Sequence, residues 1–255
     1  MNVADLARAM ETIAPVRFAA PWDNVGLLVG DPTRVLARVL LAIDCTHAVL
    51  SEAVLGGCGA IVAYHPPIFD AQKRFLSRSV AYDAARAGVA LYSPHTALDV
   101  ADGGTNDVLA DALQMTDRAP LRPIDLEGHG FGRIGPIPNT TVSDLIDRVK
   151  RALGVAHVLV AGSLDKEVAR AAVCAGSGGD LVSDAISARA DFLLTGELRH
   201  HDALRAQEAT MGVVCLLHSA SERGVLVRLQ RMLVERCAGV EIVCSKEDRE
   251  PFAFA

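Results

Sequence analysis

The feature that most constrains this chain is a series of short aliphatic runs, each closed by a polar residue. Ala60-Ile61-Val62-Ala63-Tyr64 stops at His65, and Val89-Ala90-Leu91-Tyr92 stops at Ser93-Pro94-His95. Asp191-Phe192-Leu193-Leu194-Thr195 stops at Gly196-Glu197, and Val213-Val214-Cys215-Leu216-Leu217 stops at His218. Apolar runs of this length, bounded by turn residues, read as buried strands. Segments of helical periodicity lie between them: His47–Leu55, Val80–Ala87, Val142–Leu153 and Leu181–Ala190. Strand, helix, strand with short connections is the layout of a right-handed parallel crossover. The expected fold class is therefore α/β, with two associated α/β halves and mainly parallel sheets. Hydrophobic residues make up 51% of the chain and aromatics only 4%, which suits a core of Val, Leu, Ile and Ala between such layers.

The remaining segments fill out this pattern. Val3, Leu6, Ala7, Met10, Ile13 and Ala14 share one face of a helix over residues 3–14, which Pro15 ends. Trp22 reads as a core anchor, with turns at Asp23 and Asn24 and a short strand over Val25–Val29. Val35–Ile43 reads as a strand ending at Asp44, after which Thr46 caps the next helix. Val168–Ala175 is a further strand, and His157–Ala161 another. Residues 117–140 are crowded with Gly and Pro and read as the crossover between halves, with a short strand at Gly130–Ile134. Val240–Cys244 reads as an edge strand. The halves are 1–120 and 121–255.

Charge and cysteine usage narrow the function. The net charge is -6, with no basic block of the kind a nucleic-acid backbone attracts. No apolar run is long enough for a membrane span, and the first residues lack the basic start and apolar core of a signal peptide. A cytoplasmic protein is expected. The six cysteines form no C-x-x-C pair and read as small core residues rather than metal ligands or nucleophiles.

The polar residues at the strand ends are where chemistry would sit, because ligands in open α/β sheets gather there. The ligand candidates are His65, Asp99, His218 and Glu222, with His95, His200, His201, Glu197, Asp44 and Asp23 behind them. Five of the eight histidines fall just beyond expected strands. His65 is followed by Pro66-Pro67, which stiffens the backbone that carries it. Glu222 lies one helical turn beyond His218, so the two can face one point. Imidazole and carboxylate without thiolate suit zinc, iron or manganese. Taken alone, His218 and Glu222 fit a helix start as well as a ligand pair. The Gly-rich turn Gly176–Asp180 can be read as a tight turn or as an anion cradle, but it is not a P-loop.

Six segments resemble the Nif-three-like family of Ngg-one-interacting factor proteins, many of them labelled GTP cyclohydrolase type 2 homologues. They are Trp-Asp-Asn-Val-Gly-Leu-Leu-Val-Gly (22–30), Tyr-His-Pro-Pro-Ile-Phe (64–69), Ser-Pro-His-Thr-Ala-Leu-Asp (93–99), Gly-Gly-Thr-Asn-Asp (103–107), Thr-Gly-Glu-Leu-Arg-His-His-Asp (195–202) and His-Ser-Ala-Ser-Glu-Arg-Gly (218–224). The resemblance spans nearly the whole chain and matches the short form, without an inserted domain. It implies a dinuclear metal site between the two α/β halves, with His65, Asp99, His218 and Glu222 as ligands and Asp99 and Glu222 as bridges. It also implies a homo-oligomer, a toroidal hexamer with its metal sites facing an internal cavity. One departure stands out: many bacterial members have a His-His pair where this chain has Tyr64-His65. His200 or His201 then fills the gap, or the second ion is weakly held.

Three functions are open on this reading. The first is a metal-dependent hydrolase acting on a small molecule, GTP cyclohydrolase-like by family label, holding two divalent ions per chain, with Glu197 or His95 moving protons. The second is a non-catalytic metal-binding or regulatory protein that acts through protein partners. The third is a scaffold whose histidines are structural.

Overall fold

A computed structural model describes residues 1–76 and 78–254. Its strands, in chain order, are β1 (Gly26–Val29), β2 (Arg38–Ala42), β3 (Ala60–Ala63), β4 (Ala90–Ser93), β5 (Arg122–Pro123), β6 (Gly130–Phe131), β7 (Arg133–Thr141), β8 (Leu159–Ala161), β9 (Glu167–Ser177), β10 (Phe192–Glu197), β11 (Gly212–Cys215) and β12 (Glu241–Cys244). They divide between two compact units. The first comprises Met1–Ala101 and Leu226–Ala255, the second Asp102–Val225.

The first unit carries a five-stranded sheet in the order β1-β4-β3-β2-β12. The pairs β4/β3, β3/β2 and β2/β12 are parallel, and only β1 runs antiparallel, against β4. Every residue of β3 and β4 is buried, as parallel strands covered on both faces require. Helix His47–Leu55 starts where the Thr46 hydroxyl accepts from Val49 N at 3.3 Å, satisfying one of the donors a helix N-terminus leaves open. Helix Val80–Ala87 ends on the left-handed Gly88, which turns the chain straight back into β4. Leu40, Ile61, Leu91, Val49 and Ala84 form the core on one side of this sheet.

The second unit carries the order β7-β9-β10-β11-β8. Here β9/β10 and β10/β11 are parallel, whereas β7 and β8 pair antiparallel at the edges. "Mainly parallel" thus describes the first sheet only. Cores lie on both faces of the second, one around Leu109, Val142, Val173 and Phe192, the other around Ala172, Val182, Leu193 and Val213.

The two compact units divide at Ala101/Asp102 and again at Val225/Leu226. The reason is that helix Thr105–Ala112 buries Leu109 and Ala110 in the second core, while β12 returns to pair with β2. The Gly/Pro-rich 117–140 segment is not a loose crossover: β7 runs nine residues, Arg133–Thr141. It tolerates Pro136 and Pro138 because it is an edge strand, where a missing N–H costs no ladder bond. The strand read over Val35–Ile43 is only Arg38–Ala42, with Val35 exposed. Trp22 is not in the core; it is 61% exposed.

No described helix is long and apolar enough to cross a membrane. The six cysteines are all free thiols, four buried and two half-buried.

Candidate metal centre

In the first unit the relevant side chains follow β2, β3 and β4. The chain leaves β3 through the buried Tyr64, whose carbonyl accepts from Ser93 Oγ at 2.7 Å and from His95 N at 3.2 Å. Those two bonds tie the end of β3 to the end of β4 and bring Tyr64, His65 and His95 together. The ring centroids are 5.2 Å apart for Tyr64 and His65, 5.4 Å for His65 and His95, and 5.8 Å for Tyr64 and His95, all edge to face. His65 Nδ1 lies 2.9 Å from Asp44 Oδ1, and His95 Nδ1 lies 2.8 Å from Asp23 Oδ1. A carboxylate can only accept, so in each pair Nδ1 carries a proton, and in the neutral ring Nε2 keeps its lone pair. The hydroxyl of Tyr64 donates to Asp99 Oδ1.

The Asp23 carboxylate is fully buried and also accepts from Thr96 N at 3.1 Å and from the Thr96 hydroxyl. Burial opposes its charge, but the bonds from His95 and Thr96 outweigh that and hold its pKa below the ordinary value. His95 itself adopts a positive φ of 27°, an unfavourable backbone conformation that these contacts hold in place.

In the second unit the pair lies beyond β11. Leu217 takes a φ of 85°, and short helix His218–Glu222 begins immediately after it. The helix places Glu222 Oε1 3.2 Å from His218 Nε2, while His218 Nδ1 lies 3.1 Å from Glu197 Oε1 at the end of β10. Glu222 is 3% exposed. A buried carboxylate demands a cationic partner. His218 answers it: first the hydrogen bond it donates to Glu222, against the opposing effect of burial, lifts its pKa to about 9.

Two glycines make room for this pair. Gly176, at the end of β9, has φ +62, and a methyl on it would stand 2.7 Å from Glu222 Oε1 and 3.2 Å from His218 Nε2. A methyl on Gly196 would stand 2.7 Å from Ser221 Oγ and 3.0 Å from His218 Cα. Ser221 closes the cradle, accepting from Gly176 N at 2.9 Å and donating to His218 O at 2.7 Å. The turn at 176–180 is therefore built around acidic groups and not as an anion cradle: a methyl on Gly179 would meet Asp202 Oδ2 at 2.7 Å.

The donor set fits a divalent cation. It offers imidazole nitrogens and carboxylate oxygens, and burial pushes the nearby Cys215 thiol up to about 11, which keeps thiolate out. His200 and His201 stand at the start of helix His200–Glu208, both exposed, with their rings 5.3 Å apart.

The family model described as Duf34/NIF3 (NGG1p interacting factor 3) matches residues 1–251. This chain belongs to the NIF3 family. It is 33% identical over 263 residues to a Clostridium perfringens protein named "GTP cyclohydrolase 1 type 2 homolog", covering 100% of both chains. It is 32% identical to "NGG1-interacting factor 3" of Saccharomyces cerevisiae, covering 98% of this chain and 96% of that one. A solved hypothetical protein from Staphylococcus aureus shares the fold at a TM-score of 0.90 and 24% identity, covering 100% of this chain and 99% of that one.

Within this NIF3 chain, the sequence pointed to the imidazoles but ranked Asp44, Asp23 and Glu197 too loosely. Each is the carboxylate partner of an imidazole Nδ1. The signal was available, since all three lie at or near strand ends, but pairing across β2/β3, or between the Trp22 loop and β4, cannot be read from spacing.

Proposed function

We propose that this chain is a metal-dependent hydrolase of small molecules. It binds divalent metal, two ions per chain, through His65 and Asp99 in the first unit and His218 and Glu222 in the second. The observation that carries the reading is the repeated carboxylate–imidazole pair: Asp44–His65, Asp23–His95 and Glu197–His218, each made through Nδ1 at 2.8 to 3.1 Å. This is how metal-ligating histidines are oriented and made more basic, with Nε2 presented to the ion. One such pair is common in any protein; three at the strand ends of one chain favour a purpose.

Divalent ions would supply polarisation of a carbonyl, imine or phosphoryl group and activation of water. The protein's own residues then have distinct tasks. Asp44 and Glu197 hold the His65 and His218 rings in the ligating tautomer. His95, half-buried and braced by Asp23, presents Nε2 for proton transfer. Glu197 serves as an orienting group for His218 rather than as the proton carrier. The name of the Clostridium relative makes GTP the first substrate to try. The test is metal content together with formate release from GTP, comparing wild type with His218→Ala. Two metal equivalents and formate above that variant support the reading, and a metal-free protein overturns it. The yeast relative's name favours a second reading, a metal-binding partner protein without turnover, which predicts bound metal and no hydrolysis across a substrate panel.

A further inference from the structure

Trp22 and Phe69 are 61% and 51% exposed, yet neither sits on a free loop. Asp23, next to Trp22, is fixed by His95 and Thr96. Asn24 Nδ2 donates to Ile68 O at 2.6 Å, which fastens the Trp22 loop to the residue before Phe69. The two rings are held with centroids 5.8 Å apart and planes 43° from one another. Trp22 also meets His95 edge-on at 5.9 Å, and His95 meets His65 at 5.4 Å. A rigid, water-exposed aromatic wedge thus runs directly into the imidazole cluster. Folding gives no reason for it, since both rings forgo burial that the core would reward.

We propose that Trp22 and Phe69 form a stacking site for a planar nitrogen heteroaromatic ring, the ring of the substrate that reacts at the adjoining imidazoles. The inference rests on the hydrolase reading for what happens next, but not for binding. The wedge offers exposed π surface from Trp22 and Phe69, and the His95 imidazole stands against Trp22 at 5.9 Å. A flat heterocycle satisfies both, stacking through its face and hydrogen-bonding through its ring nitrogens. A saturated ring has no face to offer, and an aliphatic chain leaves the imidazoles unmatched. The two fixed loops make the site ready before the ligand arrives, which lowers the entropic cost of binding.

Trp22 is the chain's one tryptophan, so its fluorescence reads this site directly. The full-length protein, metal-loaded and chelator-treated in parallel, is titrated with inosine and with ribose. Saturable quenching by inosine and none by ribose is expected, in both preparations. Phe69→Ala is expected to weaken inosine binding at least about fivefold. Trp22→Ala, followed by equilibrium dialysis of labelled inosine, is expected to weaken it similarly with the folded state retained. No response to millimolar inosine, or a response indifferent to Phe69→Ala, overturns the proposal. So does a change in sedimentation of Trp22→Ala without ring binding, which makes the wedge a subunit contact. Because no turnover is required, a protein that takes up no metal when offered it and yet binds inosine refutes the hydrolase reading alone. A metal-loaded protein that ignores inosine refutes the stacking site alone.

Discussion

The buried Tyr64 hydroxyl donates its proton to Asp99 Oδ1, so one oxygen of a candidate ligand is held by a phenol from the adjacent strand end. A phenol keeps Asp99 oriented but adds no nitrogen donor. Tyr64→Phe is expected to lower stability by about 1 kcal/mol, the net worth of one hydrogen bond, with metal still bound. Tyr64→His is expected to raise metal affinity. Chemical denaturation and chelator competition measure the two effects, and unchanged affinity in Tyr64→His would remove position 64 from the ligand question.

The carboxylates behind the imidazoles are not equivalent. Asp44 is 41% exposed and Asp23 is fully buried. Asp44→Ala leaves His65 in place but unbraced, so metal affinity is expected to fall about 10- to 100-fold with little loss of stability. Asp23→Ala strands the His95 and Thr96 donors in the interior, and is expected to cost about 3 kcal/mol of stability. Equal effects of the two variants on the unfolding midpoint would contradict this division.

Gly176 is a steric requirement of the His218–Glu222 pair. Gly176→Ala combines a left-handed φ of +62 with a methyl 2.7 Å from Glu222 Oε1. The backbone alone costs about 1 kcal/mol, and either the methyl or the carboxylate must move. The expected outcome is a folded protein with metal affinity reduced at least tenfold. Wild-type affinity in that variant would show that the cradle is looser than its distances imply.

The strand ends were legible because aliphatic runs stop abruptly at polar residues, as at Tyr64-His65 and Leu217-His218. So was the His218–Glu222 spacing, which follows from helix geometry. Three things were not. Pro136 and Pro138 disguised β7, since the sequence does not reveal that it lies at a sheet edge. Trp22 read as core because a lone large aromatic usually is, and its exposure depends on which loops Asp23 and Asn24 grip. The imidazole–carboxylate pairs depend on strand order: Asp44 reaches His65 only because β2 lies beside β3.

The His218 proton gives the most direct handle on the site. Its pKa stands near 9 in the metal-free protein, first because of the hydrogen bond with Glu222, against an ordinary value of 6.5. A folded-state pKa above the unfolded one means the charged pair stabilises fully below about pH 6.5 and ceases to do so as pH rises through about 9. Metal reverses the dependence, because a cation at Nε2 must displace that proton. Apparent metal affinity is therefore expected to rise with pH up to about 9, while metal-free stability declines over the same interval. NMR titration of the His218 ring checks the first quantity, and chelator competition at several pH values the second. In Glu222→Gln the ring is expected to titrate back toward 6.5. A midpoint that stays near 9 in that variant would transfer the cause to Glu197, the other carboxylate on the ring.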